Sequence, residues 1–118
     1  VSPIAGQIGQ FNSGFSVSEM ETFVCVVFRP VAGAAIDSTM ARQSWEQMQQ
    51  WHQPDKLRLA MRFDHTANSE ILGVAIFKQR EATEISAWLD ELGVVQQKQV
   101  QYSLLPLYMS AGILDASE

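Results

Sequence analysis

Two arginines in one strand-like segment could bind an anion. Arg58 and Arg62 lie at even spacing within LRLAMRFD at 57–64, so in an extended strand both project from the same face. Their guanidinium groups could bind a carboxylate or a phosphate, or could pair with Asp64, Glu70 or the acidic groups of a partner. Of these roles, we expect that the two arginines pair with acidic groups at an interface.

His65 is the second candidate, because an imidazole side chain gains or loses a proton near neutral pH. It follows Asp64 and opens the polar run HTANS, and Glu70 comes directly after that run. An imidazole that is oriented by carboxylates can act as an acid, a base or a metal ligand. The same residue types are common in solvated turns, and we favour the turn.

A ligand pocket is the third candidate. Gly73 and Ala75 are small residues within an apolar run, so they either admit close packing of a helix or leave space beside it. Close packing is the favoured reading, but a pocket here would have aromatic and thioether walls that suit a flat apolar molecule. The predicted contacts of such a ligand are Trp45, Met61, Gly73, Trp88 and Tyr102, with Arg62 and His65 as the polar groups.

Motifs of the common cofactor-dependent enzymes are missing from the sequence. There is no phosphate-binding glycine loop, no spaced set of cysteines and histidines, and no nucleophile elbow. Cys25 is the only cysteine and has no neighbouring cation in the sequence that would lower its pKa. We therefore expect no cofactor and no metal, and the catalytic residues, if there are any, are unknown at this stage.

Composition and charge limit the partners. The chain has 118 residues and a net charge of −5, which argues for one domain and against nucleic acid as a partner. No apolar stretch approaches the roughly 20 residues that a membrane helix needs, and no secretory signal pattern is visible. We expect a cytoplasmic protein that contacts neither nucleic acid nor membrane.

Four strand-like runs differ in how apolar they are, and this difference predicts their order in a sheet. FVCVVF at 23–28 and ILGVAIF at 71–77 are apolar throughout, as central strands are when both faces are covered. The runs at 57–64 and 95–104 mix apolar with polar residues, which an edge strand tolerates. The prediction is an α+β fold with a ferredoxin-like βαββαβ antiparallel sheet of order 4-1-3-2.

Two amphipathic stretches supply two helices on one face of that sheet. The first follows Asp37, a good N-cap, and is expected to run to about His52, before Pro54. The second spans about 81–92, with Gly93 placed as its C-terminal cap.

The hairpin of the second and third runs has a predictable register. With 65–69 as its loop, one apolar face for the helices is formed by the pairs Leu57 with Phe77, Leu59 with Ala75, Met61 with Gly73 and Phe63 with Ile71. The other face is then an apolar strip flanked by basic side chains, with Val24, Val26, Phe28, Leu72, Val74 and Ile76 beside Arg58, Arg62 and Lys78.

An exposed apolar strip of this kind usually marks an interface. A second copy packed sheet against sheet would close it with two-fold symmetry, and we expect that homodimer. The alternative is cover by the N-terminal arm or the C-terminal segment of the same chain. Residues 1–20 contain glycines and serines without periodicity, so we expect an irregular arm there, followed by a single domain at 21–118.

The element order over residues 21–109 and the run ILGVAIFKQREATEISAWLDELG resemble the dimeric α+β barrel superfamily, as does SLLPLYM at 103–109. That superfamily includes antibiotic-biosynthesis-type monooxygenases and muconolactone-isomerase-like proteins. The resemblance implies a dimeric barrel that holds its ligand between sheet and helices. SLLPLYM lies at the end of the last predicted strand, whereas the similar run of the isomerases precedes theirs, so no catalytic residue carries over.

Two functions follow as expectations. The first is a small-molecule-binding homodimer, with cofactor-independent monooxygenase or isomerase activity on an apolar or aromatic compound as its catalytic form. The alternative is a non-enzymatic regulatory or protein-interaction module. An apolar cavity with Arg62, His65 or Tyr102 pointing into it would favour the first, and a filled core with a flat interface would favour the second.

Overall fold

The computed structural model describes residues 4–9, 20–63 and 71–110. They form an α+β fold in which a five-stranded antiparallel sheet carries helices on one face, in the order β1-β3-β4-β2-β5 across the sheet. Along the chain the elements are β1 (Ile4–Ile8), β2 (Met20–Pro30), α1 (Ser38–Gln49), β3 (Leu57–Phe63), β4 (Gly73–Lys78), α2 (Ala82–Leu89), α3 (Gly93–Gln96) and β5 (Val100–Ser110).

The two uniformly apolar runs occupy interior strands. β2 lies between β4 and β5, and β4 lies between β3 and β2. Val26 and Ala75, which pair with each other at the centre of these strands, are both fully buried. The prediction that these two runs are central strands is therefore confirmed.

β1 is an element that the sequence analysis did not anticipate. We expected residues 1–20 to be irregular, but Ile4–Ile8 forms a strand antiparallel to β3, with Ile8 opposite Ala60. The mixed composition of β3 left it an open edge with unpaired backbone groups, and β1 satisfies them while burying Ile8 to 5% exposure. β3 is consequently an interior strand. Phe11 and Phe15, the other apolar residues of this segment, lie outside the described residues.

The pairing of β3 with β4 changes register within β3. Leu57 lies opposite Phe77, as predicted, but Ala60 lies opposite Ala75. Arg58 is therefore an extra residue in β3, a β-bulge, and each residue after it points to the face opposite to the one predicted. The uniform register was wrong beyond the first pair because β4 is apolar on both faces, so its pattern fits either register equally well.

The bulge moves the residues of β3 that follow Arg58 to the other face of the sheet. On β2 the predicted faces were wrong for a separate reason, since its residues pair with the helix-facing residues Phe77, Ala75 and Gly73 of β4. Val24, Val26 and Phe28 were predicted on the face away from the helices, but they belong to the core under the helices. The far face, as we call the face without helices, instead carries Phe23, Cys25, Val27, Leu59, Met61, Val74, Ile76, Leu105 and Leu107. Phe23 and Leu59 are fully buried within the single chain, so the centre of this face is not an exposed strip.

α1 begins as predicted. The Asp37 carboxylate accepts hydrogen bonds from the backbone N–H groups of Thr39 at 2.9 Å and Met40 at 3.0 Å, which satisfies donors that have no partner inside the helix. The helix ends at Gln49, earlier than the predicted end near His52.

The second predicted helix corresponds to α2, and α3 is an additional short helix that the sequence analysis did not predict. Gly93 does not cap a helix: it opens α3, and its φ is not positive. A Cβ there would lie 3.0 Å from Cγ of Met40, so the missing side chain lets α3 approach α1. Val95 and Gln96, predicted to start the last strand, belong to α3, and β5 begins at Val100.

Gly9 and Gly33 provide a matched test of the contact between β1 and the bulge. Both have positive φ, 77° and 79°, but a Cβ on Gly9 would clash with the carbonyl oxygen of Arg58, whereas one on Gly33 meets nothing within 4 Å. Gly33→Ala should lower the free energy of unfolding by about 1–2 kcal/mol for the left-handed backbone alone. Gly9→Ala should cost at least about 1 kcal/mol more. Urea unfolding of both variants checks this, and equal losses would contradict the close approach of β1 to Arg58.

Candidate ligand cavity

A cavity of about 380 Å³ lies between α1 and the sheet. This volume is within the range of small-molecule sites. Its walls come from α1, from the adjoining ends of β3 and β4, and from α3 and the start of β5. Because small residues at this point left a gap under α1, the close packing that we favoured from the sequence does not fill the space.

One face of α1 forms the upper wall of the cavity. The lining residues of this helix follow helical spacing, which places them on one side of it: Ser38, Ala41, Arg42, Ser44, Trp45 and Met48. Met48 is buried and Trp45 is half-buried, so this side of α1 combines core packing with the wall of the site.

Gly73 forms part of the opposite wall, and its missing side chain has two effects. It leaves the space in front of the sheet open, and it allows β3 to lie close beside it. A Cβ on Gly73 would lie 2.6 Å from the carbonyl oxygen of Met61 and 3.2 Å from Cα of Arg62. Gly73 is therefore required by the pairing of β3 with β4 as well as by the shape of the cavity.

Two arginines and two serines are the polar side chains in the described lining, where aliphatic and aromatic residues predominate. Arg62 places its guanidinium carbon 5.2 Å from the centre of the Trp45 ring, a cation–π contact between β3 and α1. Ser44 is buried, and its hydroxyl oxygen accepts a hydrogen bond from the backbone N–H of Val94 at 3.4 Å, which ties α1 to α3.

The structure brings four of the seven predicted site residues to the cavity. Trp45, Met61, Gly73 and Arg62 all line it, although the side chain of Met61 packs against the cluster of Phe23, Leu59 and Ile76 on the far face. His65 lies outside the described residues, so its role stays a prediction. The remaining two, Trp88 and Tyr102, are placed elsewhere.

Trp88 belongs to an aromatic cluster at the other end of the helical layer. Its ring centre lies 6.3 Å from that of Trp51 and 6.0 Å from that of Phe77. The cations of Lys56 and Arg80 lie 4.5 Å and 5.1 Å from the centre of the Trp88 ring. These contacts hold α2 on the sheet, and Trp88 is not among the residues that line the cavity.

Tyr102 is engaged with α2 and does not line the cavity. Its hydroxyl donates a hydrogen bond to Oδ1 of Asp90, at the C-terminal end of α2, at 2.8 Å. Burial raises the pKa of Tyr102 above its ordinary value, and Asp90 acts in the same direction while the nearby Ser86 hydroxyl opposes it. The tyrosine thus serves as a polar tie between β5 and α2.

Arg58 and Arg62 do not share a face, which corrects the prediction from their spacing. The bulge at Arg58 leaves its side chain on the far face, buried, with the guanidinium carbon 5.9 Å from the centre of the Phe23 ring. Arg62 lies on the face under α1. Cys25 is half-buried on the far face, and burial raises the pKa of its thiol, which does not favour a nucleophilic thiolate.

Arg42 is the charged cavity residue that the sequence analysis missed. An arginine on an amphipathic helix is usually expected to face water only; Arg42 does reach solvent, but it also lines the cavity. The signal was present in the sequence, because Arg42 stands three residues before Trp45 and so lies on the same side of the helix.

No protein-family model, curated protein or solved structure matches this chain. Among residues 4–9, 20–63 and 71–110, no three His, Cys, Asp or Glu side chains come together as a potential metal site. The helices of these same ranges include none that is long and apolar enough to cross a membrane.

Replacing Tyr102 tests its structural role. Tyr102→Phe removes the hydrogen bond to Asp90 and should lower the free energy of unfolding by about 0.5–1.5 kcal/mol. Because the pKa of Tyr102 is raised in the folded protein, the unfolded chain ionises first as the pH rises through 10.0, so the advantage of wild type should shrink in alkaline solution. Tyr108→Phe, which alters an exposed ring on the same strand, is the control. Equal stability of the two variants at neutral pH would show that the hydrogen bond between Tyr102 and Asp90 does not stabilise the fold.

Proposed function

We propose that this protein binds a small apolar or aromatic molecule in the cavity between α1 and the sheet. The observation that carries the proposal is a space of about 380 Å³ with predominantly apolar walls between α1 and the sheet, where the side chains of a closely packed core would meet. Unfilled volume of this kind costs stability. Occupancy by an apolar ligand would restore the missing contacts.

A ferredoxin-like fold of the dimeric α+β barrel type is part of the proposal. If the added strand β1 is set aside, the remaining strands stand in the order β5-β2-β4-β3, which corresponds to 4-1-3-2 in the numbering of a four-stranded sheet. The resemblance implied a ligand between sheet and helices, and the position of the cavity supports that reading.

Binding is better supported than catalysis. Cofactor-independent monooxygenase or isomerase chemistry needs a group that moves a proton. The described lining offers guanidinium and hydroxyl groups but no imidazole, carboxylate or thiol. His65, the remaining candidate for that task, lies outside the described residues. We therefore propose ligand binding as the activity, in a cytoplasmic protein, with turnover of the bound compound as its catalytic extension.

Filling the cavity tests the proposal. Ala41→Phe places a ring into the cavity from α1, whereas Gln43→Phe adds the same ring on the exposed side of that helix. A thermal-shift screen of bicyclic and polyketide-like aromatics should identify compounds that stabilise wild type, by about 2.7 kcal/mol at a concentration one hundred times Kd. Ala41→Phe should abolish this stabilisation, and Gln43→Phe should retain it.

Two results would count against the binding proposal. One is a melting temperature that no compound moves. The other is a ligand whose stabilisation survives Ala41→Phe unchanged, because that ligand would bind elsewhere. Either result would favour the alternative function, a non-enzymatic regulatory or interaction module.

A homodimer through the far face is the second part of the proposal. β5 contains no charged residue over Val100–Ser110, and Leu105 on its far-face side is 50% exposed. Cys25, its neighbour on β2, is half-buried. Since Phe23 and Leu59 are already buried in the single chain, a second copy would contact the β2–β5 side of this face rather than its centre.

Charge placed on β5 tests the dimer. Leu105→Glu should convert a dimer to a monomer in size-exclusion chromatography with light scattering, because a carboxylate would be buried without a partner. Tyr108→Glu is the control, since that exposed side chain points to the opposite side of β5. A wild-type monomer throughout the micromolar range would contradict the dimer.

A further inference from the structure

The charge of the cavity points to the kind of ligand it would take. Arg42 on α1 and Arg62 on β3 both line it, and both side chains reach solvent, so they lie where the cavity opens. No carboxylate belongs to the described lining. An apolar cavity with two guanidinium groups at its opening is complementary to a molecule with an apolar body and an anionic end.

Among the described residues, Arg62 makes no ion pair, and it is held at the cavity by other contacts. The bulge turns it to the face under α1, where it stacks against Trp45. Gly6 on β1 makes room for this arrangement, because a Cβ there would lie 2.6 Å from Nε of Arg62 and 3.3 Å from Cζ2 of Trp45. A stacked guanidinium retains its N–H donors for an anion.

Among the described residues, Arg42 has no ion-pair partner either. Glu46, four residues further along α1, does not pair with it, and the ion pairs among the described residues are made by Lys78 and Arg80 instead. Asp37, at the start of α1, already accepts hydrogen bonds from backbone N–H groups of the helix.

We infer that the cavity binds a carboxylic acid with an aromatic or aliphatic body, the carboxylate lying between Arg42 and Arg62 and the body in the cavity. This inference rests on the proposed ligand binding and adds to it the chemical class of the ligand. Binding forms no covalent bond and needs no co-reactant.

Matched pairs of acids and amides test the inference. The probes are 2-naphthoate and 2-naphthamide, with phenylpropanoate and decanoate and their amides, each titrated by calorimetry. We expect at least one acid to bind wild type about tenfold or more tightly than its amide, because only the carboxylate forms charge-assisted hydrogen bonds. The affinity of that acid should fall as salt is raised, while the affinity of its amide should not change.

Substitutions test which residues cause the preference for acids over amides. Arg42→Gln and Arg62→Gln should each reduce the preference for acid over amide severalfold and leave the affinity for the amide unchanged. Gly6→Ala, which displaces Arg62 without removing it, should also reduce the preference. Arg29→Gln, on β2 and outside the lining, is the control and should retain it.

The outcomes separate the two proposals. If amides bind as tightly as acids and Ala41→Phe abolishes the binding of both, the proposed ligand site is supported and the inferred preference for a carboxylate is wrong. A preference for acids that persists in both arginine variants would also show that the carboxylate does not bind between Arg42 and Arg62. If no acid and no amide binds, the ligand site and the inference fall together.

Discussion

The extra residue in β3 decides which side chains reach the cavity. Without the bulge at Arg58, the alternation of β3 would bring Leu59 and Met61 under α1 and turn Arg62 to the far face. With it, Ala60 lies in the core, and Arg62 meets Trp45. A single irregularity thus converts what would be a closed apolar layer into a layer with a basic opening.

Two glycines at β1 support this arrangement. Gly9 follows the end of β1, where only a residue without a side chain can lie against the carbonyl group of Arg58. Gly6 leaves room for Arg62 and Trp45. β1 therefore does more than extend the sheet, because it contacts the bulge at one end and the cavity wall at the other. Bulges are common beside functional sites, where they redirect a side chain.

The helical layer is closely packed on the sheet at one end and leaves a cavity at the other. Around Trp51, Phe77 and Trp88 the aromatic rings lie 6.0–6.3 Å apart and fill the space between helices and sheet. Towards the N-terminal end of α1, the small residues Ala41 and Gly73 both line the unfilled volume. The closely packed end supplies stability, and the open end is available for a ligand.

The elements of the fold could be predicted from the sequence where one pattern dominated. The uniformly apolar runs at 23–28 and 71–77 indicated interior strands, and Asp37 indicated the start of α1. The register could not be predicted, because a strand that is apolar on both faces accepts either alignment. β1 was missed since its short run IAGQI has little periodicity. α3 was missed because Gly93, which opens it, was assigned to a helix cap, whereas it serves the packing of α3 on α1.

The candidate site could be predicted in part for the same reasons. Trp45 and Gly73 followed from the apolar core pattern. The predicted register placed Met61 and Arg62 on the wrong faces, although both residues line the cavity. Arg42 was missed because an exposed charge on a helix usually faces only water. Trp88 and Tyr102 were assigned to the ligand because aromatic side chains serve packing and binding equally well in a sequence, and only their neighbours distinguish the two uses.

Cross-strand backbone NOEs between β3 and β4 test the central claim most directly. In isotopically labelled protein, the bulge predicts contacts that pair Ala60 with Ala75 and Arg62 with Gly73, after Leu57 with Phe77. Contacts that pair Leu59 with Ala75 and Met61 with Gly73 would show an unbroken register. Arg62 would then point away from α1, and the basic opening of the cavity would not exist.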